Sequence, residues 1–70
     1  MYRFYIVNVY SRYGGYSFLC KSRKDNTKQE VIDKCKEKHL FDEQRDAKDA
    51  YVDDSPTTED ICRYRVTYDI

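Results

Sequence analysis

The chain contains no tryptophan, one proline, two glycines and one histidine, and its longest apolar run is the four-residue stretch Phe4-Tyr5-Ile6-Val7. A membrane-spanning helix needs about 20 successive apolar residues, and a secretory leader needs a basic flank followed by an apolar stretch. Neither pattern occurs, so the expectation is a cytoplasmic protein that does not enter a membrane. Cys20, Cys35 and Cys62 are odd in number and widely spaced. A secreted disulfide framework would leave one thiol over; reduced thiols packed as small apolar groups fit an intracellular setting better.

What the chain does have is charge and tyrosine. Among 70 residues there are 13 Lys and Arg against 13 Asp and Glu, eight tyrosines and 40% hydrophobic residues. This describes a single domain spanning residues 1–70. A domain of this size buries only roughly 60% of the surface its unfolded chain exposes, which leaves a thin core and argues against a deep enzyme pocket. The zero net charge conceals an asymmetry: residues 1–40 hold nine basic and four acidic side chains, and residues 41–70 hold four and nine. If the halves stay apart in space, the molecule is a dipole that can steer partners.

Residues 2–10 are dense in aromatic and β-branched types, which predicts a strand. Gly14-Gly15 then reads as a tight hairpin turn, with a second strand over residues 16–22. A loop made of those two glycines alone sets Val9 opposite Cys20 and Val7 opposite Ser22. Tyr5, Val7, Val9, Phe18 and Cys20 then share one face. The other face holds Tyr2, Phe4, Ile6, Asn8, Tyr10, Leu19 and Lys21, an apolar set for a surface.

Thr27-Lys-Gln-Glu30 reads as a capping box opening a helix from Lys28 to about His39, with Val31, Ile32, Cys35 and His39 along one side. Residues 42–50 are acidic and poor in apolar side chains, Tyr51-Val52 is a brief extended piece, and Asp53-Asp54-Ser55-Pro56 is a turn. Thr57-Thr-Glu-Asp60 opens a single helical turn or stays a loop. From Ile61 to Ile70 the alternation of Cys62, Tyr64, Val66, Tyr68 and Ile70 with polar residues predicts a half-buried strand. The assembly is a two-layer α+β fold: a small antiparallel or mixed sheet, made of the N-terminal hairpin and the C-terminal strand, with one main helix on one face. The second face must be covered by the acidic residues 42–60, by a second copy or by a partner.

Cys35 and His39, four apart on a helix, have the spacing of two zinc ligands, with Cys20 or Cys62 as a third. No paired knuckle accompanies them, and no oxyanion loop, nucleophile elbow or phosphate-binding glycine loop is present. The expectation is therefore no enzyme, no metal and no cofactor. The acidic stretch has no EF-hand arrangement; it reads as solvated loop or as a mimic of a phosphate backbone. Tyrosine and arginine, by contrast, are the residues enriched at interface hot spots. Tyr2, Phe4, Tyr10, Arg12, Tyr13 and Tyr16 at the hairpin, with Arg63 and Arg65 on the final strand, are the candidate partner-binding residues. The same Tyr/Arg surface is an alternative platform for nucleic acid, against which the zero net charge weighs. A final strand at a sheet edge would also allow a homodimer.

The order of hairpin, polar connection, capped helix from Thr27 through Cys35, acidic segment and strand resembles small accessory proteins of bacteriophages and mobile elements, including the DpnD/PcfM-like group, over about residues 2–53. The resemblance rests on patterning and carries over no functional residue. It implies a short stand-alone protein that binds a host component, as anti-CRISPR and other anti-defence proteins do. The expected function is thus a non-catalytic inhibitor or adaptor that occludes a host protein or nucleoprotein surface.

Overall fold

The computed structural model describes residues 1–11, 14–40 and 50–70. They form β1 (Arg3–Ser11), β2 (Gly14–Ser22), α1 (Lys28–Glu37), β3 (Ala50–Asp53), α2 (Thr58–Cys62) and β4 (Thr67–Asp69). The sheet runs β3-β1-β2-β4, with β1 antiparallel to both β2 and β3, and β4 parallel to β2. This is a mixed four-stranded sheet with a helix packed against it, the expected α+β class. No helix among the described residues is long and apolar enough to cross a membrane.

The hairpin register differs from the expectation. Val9 pairs with Tyr16 rather than Cys20, and Val7 with Phe18 rather than Ser22. Both glycines lie inside β2, opposite Ser11 and Tyr10, and residues 12 and 13 lie outside the described residues. Steric need explains their position. A Cβ on Gly15 would lie 2.9 Å from the Val9 carbonyl oxygen, and Gly14 sits at φ 125°, where L side chains are strained. The difference is an even number of residues, so each side chain keeps its expected face. Tyr5, Val7, Val9, Phe18 and Cys20 are all buried, joined by Val52 from β3 and by Val31 and Cys35 from α1.

The capping box of α1 is formed: Glu30 N donates to Thr27 Oγ1 (3.1 Å), and Thr27 N donates to Glu30 Oε1 (2.9 Å). The helix stops before His39, which takes φ 55°. His39 N donates to the Lys36 carbonyl (3.1 Å) and Leu40 N to the Cys35 carbonyl (3.0 Å). That bonding pattern is a Schellman motif with His39 in the left-handed position. His39 is exposed and stands beyond the end of α1, so the helical spacing that set it on the side of Cys35 does not apply.

The C-terminal strand is also shorter than alternation predicts. Thr57 and Asp60 form a second capping box, with Asp60 N to Thr57 Oγ1 at 3.1 Å and Thr57 N to Asp60 Oδ2 at 3.2 Å. The helical turn they start takes up Ile61 and Cys62, a turn follows, and only Thr67–Asp69 pairs with β2. Topology favours this division, since β3 and β4 point the same way on opposite edges and their connection must cross a face of the sheet. The segment from α2 to Tyr64 lies against the second face: Asp60, Arg63 and Tyr64 share a cleft with Ile6 and Asn8, and Tyr64 Oη is 2.6 Å from Ser17 Oγ. Ile6 and Leu19 on that face are buried. β4 occupies a sheet edge, the position from which the expected homodimer would pair.

Candidate functional site

The described tyrosines do not form one patch. Tyr10 pairs with Gly15 and Tyr16 with Val9, so strand alternation sets the two rings on opposite faces. Tyr2 lies near the far end of β1 from Tyr10, about 25 Å away at the usual rise per residue. Phe4 is half-buried. Arg63 follows α2, 3.9 Å from Glu59 Oε1, and Arg65 is exposed on the way into β4. Arg12 and Tyr13 lie outside the described residues.

Two surfaces do gather side chains of one kind. The first is an aromatic row on the α1 side of the sheet, across β2 and β4. Tyr16 stacks on Phe18 with ring centroids 6.3 Å apart, and Tyr68 meets Phe18 edge-on at 5.9 Å. Phe18 is the buried anchor, while Tyr16 and Tyr68 remain 44% and 40% exposed. Such aromatic pairs favour offset and edge-to-face geometry and hold each other's rotamers. The row therefore presents two amphipathic rings already ordered on a rigid sheet. Tyr16 was visible in the sequence, but Tyr68 was not, because its neighbour is set by the parallel pairing of Cys20 with Tyr68.

The second surface is a cationic cleft of about 520 Å³ where the end of β2, the following loop, α1 and the end of β4 meet. Lys21, Arg23, Lys24 and Lys34 line it, together with Tyr2 and Asp69. Lys21 Nζ lies 4.6 Å from the centroid of the Tyr2 ring and Arg23 Cζ 5.5 Å from it. Arg23 Nη2 also donates to Tyr2 Oη at 3.4 Å, and this hydrogen bond holds the guanidinium pKa above its ordinary value. Asp69 is shared: its carboxylate faces Lys21 Nζ at 3.7 Å, and its main-chain carbonyl accepts from Lys38 Nζ at 2.6 Å. The sequence signal for the cleft was the surplus of basic residues in the first 40 positions, which marks a sign of charge but no location.

The cysteines divide. Cys20 and Cys35 face each other in the core with their Sγ atoms 3.9 Å apart, and Cys62 is exposed. The contact with Cys35, helped by burial, pushes the Cys20 thiol pKa up, while the same contact draws Cys35 down. His39 does not join them, and no group of three His, Cys, Asp or Glu converges on a metal position among the described residues. Comparisons with protein-family models, with curated proteins and with solved structures find no match to this chain.

Proposed function

We propose that this protein is a non-catalytic binding module that occludes a surface of a partner protein or nucleoprotein, in the manner of phage-type inhibitors and adaptors. The observation that supports this reading best is the Tyr16–Phe18–Tyr68 row, in which two half-exposed tyrosines are ordered by a buried phenylalanine. Rigid aromatic anchors of this kind lose little conformational entropy when covered, and truncating one at an interface typically costs about 2 kcal/mol or more. Tyr16→Ala and Tyr68→Ala are each expected to weaken partner binding at least about tenfold while leaving the circular-dichroism spectrum unchanged. Unchanged affinity in both variants would remove the row from the interface.

The alternative is a nucleic-acid-binding module using tyrosine and arginine. What favours it is the Tyr2 ring flanked by Lys21 and Arg23. Binding led by phosphate contacts weakens steeply as salt rises, whereas binding led by an aromatic protein contact does not.

A further inference from the structure

We infer that the cleft beside Tyr2 is an anion site that takes a ligand bearing two or more phosphate charges. The inference is independent of the aromatic row.

It rests on an excess of positive over negative side chains among the described residues that line the cleft. Four cationic side chains from three consecutive parts of the chain, β2, the β2–α1 loop and α1, line one cleft, and among the described residues Asp69 supplies the one side-chain carboxylate in that lining. Asp69 faces Lys21 at 3.7 Å and also acts on Arg23, so one carboxylate is divided between two cations. Lys24 and Lys34 have no ion pair among the described residues, yet they share the cleft with Lys21 and Arg23. Asp25, in the same loop, is paired with Arg3 at 2.9 Å. Gathering like charges costs free energy, the more so for Lys21, whose side chain is only 29% exposed. A bound anion with several charges removes that cost.

The chemistry of the lining selects phosphate. Arginine offers a planar fork of donors and the lysines offer mobile point charges, the combination that grips phosphate oxygens from several directions. At about 520 Å³ the cleft has the volume of small-ligand sites and exceeds what one monovalent ion would fill. Tyr2 keeps Lys21 and Arg23 turned toward the same space through its ring and its hydroxyl. The phosphates can belong to a free compound such as a diphosphate or to the backbone of a single strand of nucleic acid.

The test is a titration of the isotope-labelled chain, followed by amide chemical shifts, with pyrophosphate, with a short oligothymidylate and with oligoglutamate as a non-phosphate polyanion. The expected result is saturable shifts at Arg23, Lys24 and Lys34 with a phosphate ligand and much weaker ones with oligoglutamate. Lys24→Glu combined with Lys34→Glu should reduce phosphate affinity on the order of tenfold or more with no change in the shifts of the core. Response to pyrophosphate alone identifies a free phosphate compound as the source. Response to the oligonucleotide, with affinity falling as salt rises on a log–log slope of about −2 to −3, identifies a strand. No shift at these amides with either ligand, an equal response to oligoglutamate, or full affinity in the double variant would overturn the inference.

Discussion

His39 stands at φ 55°, in the helix-terminal position that glycine normally fills because it has no Cβ to clash with the carbonyl oxygen. Holding a β-carbon there costs about 1 kcal/mol, and the exposed imidazole has no hydrogen bond to offset it among the described residues. His39→Gly is therefore expected to raise the urea midpoint by an amount corresponding to about 0.5–1 kcal/mol; a lowered midpoint would mean that the imidazole has a structural role. At the other end of the same helix, Glu30 is held below its ordinary pKa of 4.5, first by the backbone hydrogen bond from Thr27 and then by the Thr27 side chain. A depressed folded-state pKa means that this contribution to stability is present above the unfolded value and is lost as pH falls through the lower folded value. Asp60 behaves in the same way, through the side chain and then the backbone of Thr57. Glu30→Gln should flatten the acid side of the stability profile. An unchanged slope, measured by denaturant midpoints from neutral pH through the carboxylate range, would show that the capping carboxylate does not carry it.

The elements differ in how far the sequence reveals them. β1, β2 and α1 are legible because local chemistry and tertiary demand agree: aromatic and β-branched runs for the strands, and Thr27 with Glu30 for the helix start. The hairpin connection misleads because Gly14-Gly15 has the composition of a turn, while the close approach of Val9 to Gly15 uses one glycine within the strand. Gly15→Ala tests this. The new methyl would meet the Val9 backbone oxygen at 2.9 Å, and neither backbone can retreat without disturbing the pairing, so a loss of about 1–3 kcal/mol is expected. Full retention of stability would return the glycines to the turn. The end of the chain misleads for another reason, since clean alternation from Ile61 competes with the Thr57–Asp60 capping box, and the box prevails because the chain must cross the sheet to reach the β4 edge. Of the candidate site, Tyr2 and Tyr16 were legible as exposed aromatics. Their true neighbours, Lys21 and Arg23 for Tyr2 and Phe18 and Tyr68 for Tyr16, depend on register and strand order.

At the scale of the whole molecule, the two faces of the sheet are closed by different means. α1 seals one around Val31 and Cys35, and the segment from α2 to Tyr64 lies on the other against Ile6, Asn8 and Ser17. The surface then carries two separate features, the aromatic row across β2 and β4 and the cationic cleft at the end of β2. The central claim is that the aromatic row binds a protein. Affinity capture from a nuclease-treated bacterial lysate, comparing the tagged chain with its Tyr16→Ala/Tyr68→Ala variant, tests it most directly. The account predicts a discrete protein partner held in fixed ratio by the unaltered chain and lost by the variant. A partner held equally by both, or recovery of nucleic acid alone from lysate left untreated, would contradict it.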